Sequence, residues 1–154
     1  QRTFTTERER VQVQRSDGFG ALKGLLPPPT RRAVVLIDPP YEVKEDYRRT
    51  VDTVREALRR FPTGTFAVWY PMLARPEARA LPQKLAEIGA ESWLDVRLAV
   101  SAPPRDGIGM FGSGLYVINP PWVLPQRLEA ALPWLVERLG VDGGAGFDLE
   151  HHIE

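Results

Sequence analysis

An apolar run, Ala33-Val34-Val35-Leu36-Ile37, stops at Asp38-Pro39-Pro40-Tyr41, so that a carboxylate, two prolines and an aromatic ring follow one another directly. Neither proline can give an N–H to a ladder, and both hold φ near one value, so strand pairing must end after Ile37 in a stiff loop. Asp38 is thereby set at the carboxyl end of the strand, which is where ligands bind in open α/β sheets. A rigid carboxylate and a ring at that place make a candidate active site. Two other readings use the same residues. Asp38 can cap a helix while Tyr41 packs, as turn residues do. Asp38, Glu42 and Lys44 also supply the acid and Glu-x-Lys pattern of metal-assisted phosphodiester hydrolysis, but the two acids are closer in sequence than that arrangement needs. Triads with a nucleophilic thiol or an imidazole base find little support, because the chain has no cysteine and both of its histidines, His151 and His152, lie in the tail.

The run itself predicts the element that presents this loop. Val34 to Ile37 show no polar alternation, the pattern of a parallel strand covered on both faces. Before it, Val11 and Val13 alternate with Gln12 and Gln14 as a short strand, Asp17-Gly18 reads as a turn, and Ala21 to Leu26 as a short helix closed by Pro27-Pro28-Pro29. After it, Tyr47, Val51, Val54 and Leu58 recur at helical spacing over about Glu45–Arg60. The other face of that helix carries Arg48, Arg49, Arg55, Arg59 and Arg60 among Asp52 and Glu56, the composition of a solvated face. Thr65 to Tyr70 is a strand stopped by Pro71, with Trp69 and Tyr70 again at a strand's carboxyl end. Pro76 to Ile88 is a crossover helix kinked early by Pro82, and Trp93 to Val100 a strand. The loop Ser101 to Gly112 holds Gly107-x-Gly109-x-x-Gly112, which matches a dinucleotide fingerprint in letters only, since a strand, Leu115–Ile118, follows where a helix is required. Pro125 to Leu139 is a last helix, and Gly146 to Glu154 a final edge strand on which His151 and His152 point to opposite faces and do not suit a shared metal.

The ordered set of motifs resembles a known family. Asp38-Pro39-Pro40-Tyr41 is similar to the motif of S-adenosylmethionine-dependent methyltransferases that modify exocyclic amino groups. Ser16-Asp17-Gly18-Phe19, Leu25-Leu26-Pro27-Pro28, Arg31-Arg32, Asp46-Tyr47, Trp69-Tyr70-Pro71 and Ser113-Gly114 through Val117-Ile118-Asn119-Pro120-Pro121-Trp122 surround it in the order of the large-subunit ribosomal RNA adenine-N6 methyltransferase J family. The resemblance implies an α/β, Rossmann-like methyltransferase fold lacking its first strands here, with residues 1–154 as the C-terminal part of one catalytic domain. It implies S-adenosyl-L-methionine as methyl donor, no metal, and N6-methylation of an adenine in 23S ribosomal RNA. Asp38 and a main-chain carbonyl of Pro39 or Pro40 would then accept hydrogen bonds from the amino group, raising the nucleophilicity of a nitrogen whose lone pair is otherwise delocalised into its ring, in a loop too stiff to reorganise. Tyr41 would stack on the extruded base, and Trp69 and Tyr70 would wall its pocket. Asp17, with Gly18 and Phe19, would meet the cofactor's adenine. Asn119-Pro120-Pro121-Trp122 repeats the logic of the main motif, but the resemblance puts it after a late strand and away from catalysis.

Composition narrows the setting. The chain has 154 residues, one domain's worth, of which 43% are hydrophobic. It begins at Gln1 and shows neither the glycine-rich loop nor the ribose-binding acid that the family carries earlier, which predicts a fragment. Its 20 basic and 20 acidic residues cancel, so RNA contact requires a local patch. No signal peptide or membrane-length apolar run is present, and a cytoplasmic monomer is expected. A non-catalytic nucleic-acid-binding fragment is the alternative from another functional class.

Overall fold

The computed structural model describes residues 11–153. Four helices and five strands alternate in part: α1 (Gly18–Leu25), β1 (Val34–Ile37), α2 (Lys44–Arg60), β2 (Thr65–Met72), α3 (Pro76–Ala86), β3 (Trp93–Ala99), β4 (Gly112–Ile118), α4 (Leu124–Leu139) and β5 (Gly146–His152). The strands form one mixed sheet in the order β1-β2-β4-β3-β5. Only β1 and β2 pair in parallel, joined by α2; β4 enters between β2 and β3 and is antiparallel to both, and β5 closes the far edge. The α/β class follows the expectation.

The two faces of the sheet bury different helices. On one, Ile37, Phe66, Val68, Tyr116 and Ile118 meet Val51, Val54 and Ala57 of α2 and Leu81 and Leu85 of α3. On the other, Ala67, Leu94, Val96 and Val117 meet Leu132 of α4. The alternation along β2 and β4 thus feeds two cores, as the two-residue period of a strand requires.

Three expectations are corrected. Among the described residues β1 is not covered on both faces: Val34 and Leu36 are 74% and 66% exposed, and there the strand's ladder runs only along β2. Its outward side chains find no layer among the described residues. Val11 to Gln14 form no strand, because no ladder lies beside them. Pro71 does not end β2, which continues to Met72. The β1 ladder stops at Val68, so from Trp69 onward β2 has a neighbour on the β4 side alone, and a proline without an N–H is tolerated where a strand behaves as an edge.

Beneath the upper part of this sheet lies a polar group of side chains. The Tyr70 hydroxyl donates to Asp95 Oδ1 at 2.6 Å, Arg97 Nε stands 3.4 Å from Asp95 Oδ2, and Arg97 also pairs with Glu150. Burial pushes the Asp95 carboxyl upward, against the opposing pull of Tyr70 and Arg97. The folded state therefore holds this proton more tightly than the unfolded chain does, and stability from Asp95 is present below the ordinary carboxylate value of about 3.9 and lost as pH rises through the folded value. Asp95→Asn should gain stability relative to the unmodified chain between pH 4 and pH 7, read by urea denaturation at both. An unchanged or reversed difference would show that the ion pair outweighs burial.

Candidate active site

β1 delivers Asp38 to the sheet edge shared by the carboxyl ends of β1 and β2. The loop that follows is anchored rather than free. Pro39 is buried, and Tyr41, held at φ +53°, is 2% exposed. Its hydroxyl donates to the Trp69 carbonyl at 2.8 Å, and its ring lies 4.7 Å from that of Tyr47. Desolvation drives the Tyr41 hydroxyl well above its ordinary value, so it remains a donor at any working pH. Asp38 is left exposed at the tip of a loop fixed on both sides.

The Asp38 loop forms one wall of a cleft of about 590 Å³. Ile37, Asp38, Pro39 and Pro40 line it on the β1 side, Asp17, Gly18 and Phe19 on the α1 side, and Asp46 and Arg49 of α2 close it. The expected catalytic acid and the three residues expected at the cofactor are thus brought together, although 20 positions separate Asp38 from Gly18. Asp17 is the residue before α1, and its Oδ2 receives Arg49 Nη2 at 2.8 Å. The same guanidinium lies 4.4 Å from the Phe19 ring centre.

The aromatic residues expected at the substrate are placed elsewhere. Tyr41, Trp69 and Tyr70 do not line the cleft. A stacking platform must offer a bare ring face, and the Tyr41 ring is covered by Tyr47 and has Trp69 at 6.4 Å. Tyr70 is 2% exposed and committed to Asp95, while Trp69 is half-buried near Tyr41. Sequence spacing could not tell which way each ring turns. Glu42 and Lys44 do not join Asp38 either: Lys44 Nζ pairs with Glu77 at 2.6 Å, and neither lines the cleft. Among the described residues no group of three or more His, Cys, Asp or Glu is arranged to hold a metal ion.

Arg49 and Asp46 were not singled out as cleft residues by sequence. Their i, i+3 spacing puts them on one side of α2, a signal that becomes informative only once α1 is known to pack there.

Asn119 also acquires a definite role. β4 runs antiparallel to β2, so its carboxyl end meets the beginning of β2, at the opposite edge from Asp38. Asn119, at φ +51°, donates through Nδ2 to the carbonyls of Pro62 and Gly64 at 2.7 and 2.8 Å, and its own carbonyl accepts from Thr65 Oγ1 at 2.8 Å. It staples the turn before β2. Asn119→Ala should cost about 1–3 kcal/mol, from two lost hydrogen bonds and a left-handed backbone that alanine disfavours. Thermal denaturation checks this, and an unaltered midpoint would contradict it.

The sequence model of the family described as "Ribosomal RNA large subunit methyltransferase D, RlmJ" matches residues 1–150. The chain is 44% identical over 137 residues to the Ribosomal RNA large subunit methyltransferase J of Escherichia coli (strain K12), covering 89% of this chain and 48% of that protein. It is 41% identical over 142 residues to the protein of the same name from Haemophilus influenzae (strain ATCC 51907 / DSM 11121 / KW20 / Rd), covering 92% and 50%. The crystal structure of protein LPL1258 from Legionella pneumophila str. Philadelphia 1 superposes with a TM-score of 0.81 at 32% identity, over 90% of this chain and 51% of that one. The chain spans about half the length of the curated relatives it matches. With the family pattern matched along residues 1–150, the chain belongs to the RlmJ family of ribosomal RNA large subunit methyltransferases.

Proposed function

We propose that these residues form the catalytic-loop portion of an S-adenosylmethionine-dependent methyltransferase that modifies N6 of an adenine in 23S ribosomal RNA. The observation that carries the proposal is the single cleft holding Asp38 on one wall and Asp17 with Phe19 on another. The residues suit the donor. The volume is within the range of small-molecule sites, Phe19 offers a ring and Asp17 an acceptor, and Asp17, Asp38 and Asp46 outnumber Arg49 in the lining, a balance that favours a ligand bearing positive charge. S-adenosylmethionine supplies, when bound, a methyl carbon activated by a cationic sulfur.

The remaining work falls to Asp38 and its loop. An exocyclic amino nitrogen is a weak nucleophile because its lone pair is drawn into the ring. Asp38 and a main-chain carbonyl of Pro39 or Pro40 accept hydrogen bonds from its two N–H groups and return density to nitrogen, and one of these protons is lost once the methyl group has been transferred. The fixed loop makes this effective, since nothing must reorganise as charge develops. Asp38 needs little basicity, because the amine becomes acidic once it carries a fourth bond. Tyr41 serves here by tying the loop to β2 through its hydroxyl, not by stacking on the base. Adenines in single-stranded or loosely paired RNA fit best, since they can be splayed out at low cost.

The test is transfer of labelled methyl from S-adenosylmethionine to ribosomal RNA and ribosomal subunits, with nucleoside analysis for N6-methyladenosine. Product in that nucleoside is expected. No transfer to any of these substrates would sink the proposal.

A further inference from the structure

We infer that Arg49 is a positioning residue for the cofactor's adenine, holding the Asp17 carboxylate and the Phe19 ring in the arrangement that selects the purine. The inference rests on the methyltransferase reading above. It starts from the unusual use made of Asp17. An aspartate just before a helix ordinarily turns its side chain back to a free N–H of the first turn. Asp17 stands at that position with extended backbone, φ −64° and ψ 113°, yet makes no side-chain capping bond to α1.

Its Oδ2 goes instead to Arg49 Nη2, 2.8 Å away on α2. A Cβ at Gly20 would lie 3.4 Å from that same oxygen, so the carboxylate is folded close over the first turn. The guanidinium that holds it also covers Phe19 at 4.4 Å. One planar cation thereby fixes two residues of the cleft wall, a double duty that arginine's flat, multi-donor group can perform and a lysine ammonium cannot. An ionised carboxylate has acceptor sites on both oxygens. With Oδ2 engaged by Arg49, Oδ1 is left to accept one donor, and the exocyclic amino group of adenine is a donor where the corresponding group of hypoxanthine is an acceptor.

Without Arg49 the carboxylate would be free to turn to the α1 N–H groups, and Phe19 would lose the plane against it. Binding would survive in part, but discrimination would not. That distinction separates positioning from mere support of the fold, because a loosened structure weakens both ligands alike.

The natural gene product carrying these residues is titrated calorimetrically with S-adenosylhomocysteine and with S-inosylhomocysteine, in which oxygen replaces the amino group. The unmodified protein should prefer the adenosyl ligand by about tenfold to a hundredfold, the effect of one hydrogen bond made or replaced by facing acceptors. Arg49→Ala should remove most of that preference, and Arg49→Lys should fall between, keeping a charge for Asp17 without a plane for Phe19. Arg55→Ala, which removes a guanidinium paired with Asp52 on the exposed side of α2, should retain it. An Arg49→Ala protein with its preference intact, whether its affinities fall together or stay unchanged, overturns the inference and leaves the methyltransferase reading standing. Should Arg49→Ala fail to fold, the preference of Arg49→Lys decides in the same way. If the unmodified protein binds neither ligand, the cofactor reading fails and the inference with it.

Discussion

Asp38→Ala is expected to lower methyl transfer to RNA by about a hundredfold to a thousandfold, the usual consequence of removing one preorganised hydrogen-bonding group from a reacting centre. The substitution is clean because Asp38 is exposed at the end of a loop whose fixed points lie on either side of it: Ile37 is in the core, and Tyr41 is bonded to the Trp69 carbonyl. An exposed loop carboxylate contributes within about 0.5 kcal/mol to stability, so the unfolding midpoint should hold while the rate falls. Asp38→Asn keeps one carbonyl acceptor at the same place and should retain more activity than Asp38→Ala. Measured initial rates in that order, with unchanged denaturation curves, support acceptance of a hydrogen bond from the amino group by this side chain. Equal rates for Asp38→Ala and the unmodified protein would remove Asp38 from the chemistry and return it to being a turn residue.

Gly114→Ala should be the most damaging single-methyl change to the fold. Gly114 lies in β4 opposite Tyr70 of β2, and a Cβ there would fall 2.0 Å from Tyr70 Cζ and 2.3 Å from its hydroxyl oxygen. The ring cannot yield cheaply, since it is buried and its hydroxyl is bonded to Asp95 at 2.6 Å. Moving it breaks that bond and strands a carboxylate already disfavoured by burial. Overpacking and the lost buried bond together cost about 3 kcal/mol or more, which for a chain of this size lowers the thermal midpoint by roughly 6–12 °C. Gly143→Ala is the matching control, because a Cβ there meets nothing within 4 Å. A smaller ring space restored by Tyr70→Leu should recover part of the loss in the double variant. A Gly114→Ala midpoint equal to that of Gly143→Ala would show that the sheet opens at β4 far more easily than its packing implies.

The strand, the stiff loop and the acid at its tip were legible because each follows from local chemistry: an aliphatic run, two prolines without N–H groups, and a carboxylate between them. The α2 helix was legible from Tyr47, Val51, Val54 and Leu58, whose spacing fits one buried face. What failed was whatever depended on neighbours. Gly112 reads as the end of a loop and the strand as starting at Leu115, yet β4 begins at Gly112, because Gly114 leaves room for the Tyr70 ring and Gly112 for the Leu98 carbonyl. Pro71 reads as a strand stop, but the early end of β1 removes the partner its missing N–H would have needed. Tyr41 reads as a stacking ring because its motif suggests one; the φ of +53° that turns it toward Tyr47 is a tertiary outcome. Arg49 reads as one more charge on a solvated face, and only the docking of α1 on α2 shows that it belongs to the cleft.

The side of β1 that is open among the described residues bears on how these residues behave when studied by themselves. Among the described residues β1 has one ladder partner and two aliphatic side chains turned to water, and an unpaired strand edge of that kind is a template on which further chains can add. A formal net charge of zero at neutral pH supplies little long-range repulsion to keep molecules apart. Arg31 and Arg32 are exposed immediately before the strand, and charges flanking an aliphatic strand disfavour edge-to-edge association. Concentrated solutions of these residues should therefore cloud more readily as salt is raised, because added ions screen the charge that these arginines set beside the edge.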